Sequence, residues 1–277
     1  MNPRFACLSL AFAVFFTPVF APAQTSHYEN PNFIRVEGGT FVMGNAADNC
    51  CCFSAELPAR NVTINGFYMS RHQVTQREWL EVMGANPSHF RGDHLLVENV
   101  SWFDVIEFAN EKSRRAGLTP VYSINGTGTD RIVTWNRAAN GYRLPTEAEW
   151  EFAARGGHGS PGGFIYSGSD NANLVAWHAG NSGGRTQAVG QLRPNALGLY
   201  DMSGNVWEWV WDWFGPYPSA AQANPAGASS GANRVLRGGS WSYSDWGTRS
   251  TFRYWFIPSS RSFSLGFRLV RPFGTAD

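Results

Sequence analysis

Asp201 and Glu208 flank a Ser203-Gly204-Asn205 turn inside the Trp-rich run from Gly198 to Trp213. A tight loop there can aim both carboxylates and the intervening carbonyls at one hard cation, an all-oxygen set that suits calcium. The same residues allow a plainer reading, in which Glu208 and Asp212 pair with core arginines, and the spacing matches no EF-hand loop. Cys50, Cys51 and Cys52 are consecutive. In an oxidising compartment three thiols cannot all pair internally, and adjacent side chains on an extended segment point to opposite faces, which disfavours a tetrahedral metal site.

The segment from Ser242 to Ser264 has the composition of a contact surface. Ser242, Tyr243, Ser244, Trp246, Phe252, Tyr254, Trp255, Phe256, Ile257, Ser259, Ser260 and Phe263 are interleaved with Arg249, Arg253, Pro258 and Arg261. Tyr and Trp supply large contact area at low entropy cost, and Ser adapts its hydrogen bonding, as in a paratope. The alternative is a core strand pair. Four large residues in a row, Tyr254 to Ile257, exceed what period-two burial requires.

Short elements must position these groups. Thr75 with Glu78, Ser101 with Asp104 and Thr146 with Glu149 have capping-box spacing, each opening an amphipathic run that closes near Gly84, Gly117 or Gly156. Three helices are therefore expected. Phe41–Met43, Val62–Ile64, Phe67–Met69, Val133–Trp135, Val235–Arg237 and Gly266–Val270 read as short strands between Gly, Asn, Pro and Ser clusters, and the stretch from Pro216 to Asn233 reads as an exposed loop. The fold class is an irregular, loop-rich α+β one.

Composition sets limits. The 277 residues carry 22 Lys+Arg against 21 Asp+Glu, with 16% charged and 15% aromatic residues. Such a chain buries a core, and a net charge of +1 cannot steer a polyanion, so neither disorder nor nucleic-acid coating is expected. Lys112 is the only lysine. Arginine forks can tie loops to carboxylates and carbonyls, although codon bias would produce the same ratio.

Residues 1–23 read as a signal peptide: Arg4, an apolar run from Phe5 to Phe20, and Ala21-Pro22-Ala23 before Gln24. The run is too short and wrongly flanked for a membrane span. An exported protein is expected, periplasmic, at the cell surface or secreted, with a tail at 24–33, one domain at 34–271 and a tail at 272–277.

Val36 to Gly44, Gln73 to Trp79, Tyr142 to Glu151, Asn195 to Asp201, Gly204 to Trp209, Arg237 to Trp241 and Gly266 to Arg268 together resemble the formylglycine-generating enzyme family, the sulfatase-modifying factors. The resemblance implies one domain related to the C-type lectin fold, with bound calcium. By position it implies side-chain oxygens from Asp201 and Glu208 and carbonyls from Gly204 and Val206, with a second site near Asn181-Ser182. The family's oxidases bind copper through two cysteines, where this chain has Tyr243 and Thr248. Neither replaces a soft thiolate.

The placement of the aromatic segment also resembles the variable proteins of diversity-generating retroelements, which diversify residues near the C-terminus on this same fold. The expectation is an exported binding protein that meets a protein or other surface ligand, with calcium but no copper, rather than a copper oxidase. The alternative is a formylglycine-generating-enzyme-like oxidoreductase, or an accessory factor acting on a partner protein.

Overall fold

The computed structural model describes residue 1 and residues 30–45, 54–158 and 163–273. The expected signal peptide and Cys50 to Cys52 lie outside these. In chain order the elements are β1 (Phe33–Val36), β2 (Gly39–Met43), β3 (Arg60–Ile64), β4 (Phe67–Ser70), α1 (Gln76–Met83), α2 (Trp102–Arg115), β5 (Tyr122–Asn125), β6 (Ile132–Trp135) and α3 (Glu147–Ala154). They continue with α4 (Ala172–Val175), β7 (Ala176–Trp177), β8 (Ser203–Gly204), β9 (Trp207–Trp213), β10 (Gln222–Ala223), β11 (Arg234–Arg237), β12 (Arg253–Phe256), β13 (Leu265–Gly266) and β14 (Val270–Pro272).

All three expected helices form at their capping residues. Ser101 and Thr146 complete reciprocal boxes with Asp104 and Glu149, whereas Thr75 accepts from the Glu78 amide. Gly84 ends α1 in the left-handed region at φ 77°, which glycine enters without a Cβ penalty. The expected strand at Gly266–Val270 is split instead: β13 pairs with β9, β14 pairs with β4, and residues 267–269 bridge the two sheets.

The four-stranded sheet β12-β11-β9-β13 organises the molecule. Alternation along β9 sends Trp207, Trp209 and Trp211 into one apolar cluster with α1 and α2, and sends Val210 into a second with α3. Glu208 and Asp212 share the Val210 face, so the second core carries charge. Arg268 neutralises Glu208, and buried Arg237 and Arg253 likewise meet Glu151 and Glu147. No helix among the described residues is long and apolar enough to cross a membrane.

Candidate functional site

β12 is an edge strand, antiparallel to β11, with Arg234 opposite Phe256 and Arg237 opposite Arg253. The aromatic segment is therefore strand, turn and short helix together, and part of the strand-pair alternative is correct. The two faces of β12 are both partly covered. Tyr254 stacks on Trp207 (5.5 Å) and meets Phe256 edge-on (5.7 Å), while Trp255 stacks on Phe214 (4.2 Å). An edge strand with rings on both faces explains the run of four large residues that simple alternation did not.

The side chains sort by exposure. Ser242, Ser244, Trp246, Phe256, Ile257 and Phe263 are exposed, and Tyr243, Tyr254, Trp255, Ser259 and Ser260 are half-buried. Phe252 is the exception. It is 2% exposed, packed edge-on against Trp246 (4.6 Å) inside the first apolar cluster, and so belongs to the core rather than to the surface. Ring contacts run from Trp246 through Phe252 and Tyr243 to Tyr254 and Phe256. Phe263 stands apart, against His89 (4.8 Å), with Phe90 edge-on to Trp241 nearby (5.5 Å). His89, Phe90, Trp207 and Phe214 lie far upstream, and nothing local in the sequence marks them as neighbours of this surface.

Of the arginines between these rings, Arg249 and Arg253 are buried and Arg261 lies at the surface. Arg249 makes a two-pronged pair with Glu56 (2.6 and 3.1 Å) and donates Nε to the Trp246 carbonyl (2.9 Å), which fixes the exposed indole beneath which it sits. Arg253 holds both oxygens of Glu147 (2.6 and 2.7 Å) and donates to the Ala55 and Gly215 carbonyls. Burial alone would push the Glu147 carboxyl up; Arg253 and Arg237 outweigh it and hold it below the usual carboxylate range. Arg261 pairs with Asp104 (2.8 and 2.6 Å), the capping residue of α2, and the Pro258 carbonyl accepts from the Trp102 amide (3.0 Å). The turn after β12 is thus fastened to the start of α2. Bidentate forks of this kind fix geometry as well as charge.

At the copper positions, Tyr243 is half-buried against Trp207 (5.5 Å), and Thr248 is buried, donating to the Asp245 carbonyl (2.8 Å). A phenol and a committed hydroxyl do not fit Cu(I), which prefers thiolates.

The calcium expectation is also altered. The carbonyls of Asp201, Gly204 and Val206 and Oε1 of Glu208 do converge on one point, as expected. However, that point is filled by Nε2 of Gln73, 3.3, 3.3, 3.1 and 3.0 Å from them. Asp201 contributes its carbonyl and not its carboxylate, whose Oδ2 accepts from the Gly190 amide (2.8 Å). Glu208 is fully engaged by Arg268 (2.7 and 2.8 Å) and Trp150 Nε1 (2.8 Å). Its negative charge is already balanced, so the residues present do not fit a divalent cation as they stand. The core-arginine reading holds for Glu208. Asp212 instead accepts from the Glu147 amide (2.9 Å).

Residues 19–273 match the profile of the sulfatase-modifying factor enzyme 1-like domain. The chain belongs to that family. It is 38% identical over 238 residues to the chaperone protein LppX of Paenibacillus barcinonensis, covering 76% of this chain and 78% of that one. It is 30% identical over 278 residues to the formylglycine-generating enzyme of Mus musculus, covering 85% and 73%. Among solved structures, Treponema denticola variable protein 1 superposes with a TM-score of 0.79 at 32% identity, covering 87% of this chain and 95% of that one. The loop-rich α+β architecture is that of this family and of its C-type lectin-like variable relatives.

Proposed function

We propose that this protein of the sulfatase-modifying factor family is an exported binding protein whose contact surface is the aromatic and serine-rich segment from Ser242 to Phe263, without Phe252. One observation carries the reading: in a single short segment Arg249 and Arg253 are buried in bidentate pairs while Trp246, Phe256, Ile257 and Phe263 are exposed. A scaffold fixed from below tolerates change above, and exposed aromatic anchors are what interfaces use. The likeness to a protein named as variable supports the same view, with diversification by a retroelement as its source. Export rests on the first 23 residues. The ligand is a protein or another surface molecule.

A photoreactive phenylalanine analogue at position 256 is expected to cross-link a partner from the envelope of the source cells, whereas the same group at exposed Leu80 on α1 is not. Absence of any adduct at position 256 would defeat the proposal. A near-copy of the codons for Ser242 to Ser264 beside a reverse transcriptase would identify the diversified form. An accessory factor acting on one fixed partner protein is the second reading, favoured by the 38% identity to a protein named as a chaperone. It predicts one cross-linked species and no such codon copy.

A further inference from the structure

Gln73 sits between β4 and α1, its backbone held in place from both sides: the next residue, Val74, donates to the Phe267 carbonyl (3.0 Å) and accepts from the Val97 amide (2.8 Å). Its side chain is completely buried and reaches a turn more than 120 residues away in sequence. There Nε2 meets four oxygens at 3.0 to 3.3 Å, three of them carbonyls. A carboxamide has two N–H donors, so the four acceptors must share them. Among the described residues the other end of the amide, Oε1, has no partner.

We propose that the Gln73 amide takes the place of a cation, plugging an oxygen cage that would otherwise demand a metal, and that the scaffold is independent of calcium. At the other expected site Asn181 is already committed to the His178 amide and the Ala176 carbonyl, and Ser182 donates to the Trp241 carbonyl. The electrostatics favour this orientation. Turning the amide over would set Oε1 against four acceptors with no proton between them. Nε2 supplies partial positive charge at the same point without adding net charge. Glu208 and Arg268 already sum to zero beside it, so a divalent ion would have only the buried Asp201 carboxyl group, already accepting from the Gly190 amide, to set against its two charges. The cost of the plug is the orphaned Oε1, one unpaired neutral acceptor, which is far less than an unpaired buried ion.

Replacing one atom of Gln73 inverts the design. Gln73→Glu puts a carboxylate oxygen where Nε2 lies, facing four oxygens, and at a pH where that carboxylate is ionised a cation is what relieves the repulsion. The proposal concerns the scaffold and stands or falls separately from what the aromatic face binds.

The test uses the full chain. Wild-type protein purified without chelator should carry no stoichiometric calcium by elemental analysis, and its melting temperature should be the same in EDTA and in millimolar calcium. Gln73→Glu should melt lower in EDTA and recover with calcium, by roughly 5 to 10 °C if the ion is present well above its Kd. Calcium bound to the wild type, or a wild-type melt that drops in EDTA, overturns the proposal. So does a folded Gln73→Glu protein indifferent to calcium. If that variant does not fold, the two wild-type measurements decide alone.

Discussion

Three neighbouring residues, Phe252, Arg253 and Phe256, should respond very differently to truncation. Arg253 is 2% exposed, and Arg253→Ala removes both bonds to Glu147 and the two to the Ala55 and Gly215 carbonyls. It leaves Glu147 buried without its principal partner and close to Asp212. Breaking a buried pair from one side costs about 3 to 5 kcal/mol. That is a third or more of the total stability of many domains, and at about 2 to 4 °C per kcal/mol the melt should fall by roughly 6 to 20 °C. Phe252→Ala, in the first apolar cluster, should cost about 3 to 5 kcal/mol as a large-to-small core change. Phe256 is 38% exposed on the edge strand, and Phe256→Ser should cost about 1 kcal/mol or less. Urea titrations followed by tryptophan fluorescence would rank the three. Arg253→Lys adds a control: it keeps the charge but loses the fork, so it should fall between wild type and Arg253→Ala. A Phe256→Ser protein as unstable as Arg253→Ala would show that the ring holds the fold, and the division into buried arginines and displayed rings would be wrong.

Asp212 is buried, and burial first, then the neighbouring Glu147 carboxylate, pushes its pKa up to about 8. The native state keeps a proton that the unfolded chain releases near pH 4, so this residue's contribution is intact in acid and is lost as pH rises from about 4 to about 8, at no more than about 1.4 kcal/mol per unit. Asp212→Asn should flatten that part of the stability curve, and urea midpoints measured across this range with the wild-type slope retained would contradict the assignment. With Tyr243 and Thr248 at the copper positions, the protein supplied with copper and oxygen should not convert a Cys-x-Pro-x-Arg peptide to formylglycine. Mass spectrometric detection of the aldehyde would replace the binding reading with the oxidase one.

The sequence by itself determined what is local. The three expected helices, α1, α2 and α3, start where a threonine or serine hydroxyl stands three residues before a carboxylate and accepts from that residue's amide, a bond that closes within one turn. Five of the expected short strands appear, and the excess of arginine over lysine is matched by bidentate forks in the core. The two missed features of the sheet have a common cause. Residues 207–213 looked like the flank of a metal turn because four tryptophans mask the alternation, yet β9 is the longest strand, and its pattern makes sense only with two cores, one on each face. Residues 253–256 looked unlike a strand because both faces of an edge strand can carry rings when other segments cover them.

What the tertiary structure decided is which partner each polar group received. Arg237 meets Glu151 at a separation of 86 residues, Arg253 meets Glu147 at 106, and Arg249 meets Glu56 at 193. The composition announced the arginines but not their carboxylates. The oxygen cage illustrates the same limit. Spacing alone brought Asp201, Gly204, Val206 and Glu208 together, since they lie on one turn. What fills the centre is Gln73, 135 residues from Glu208, and its arrival depends on the packing of β4 against the strands at the other end of the chain. Local spacing can arrange acceptors around a point, but only the folded chain settles whether a cation or an amide satisfies them, because a buried acceptor requires some donor and carries no record in sequence of which one it receives.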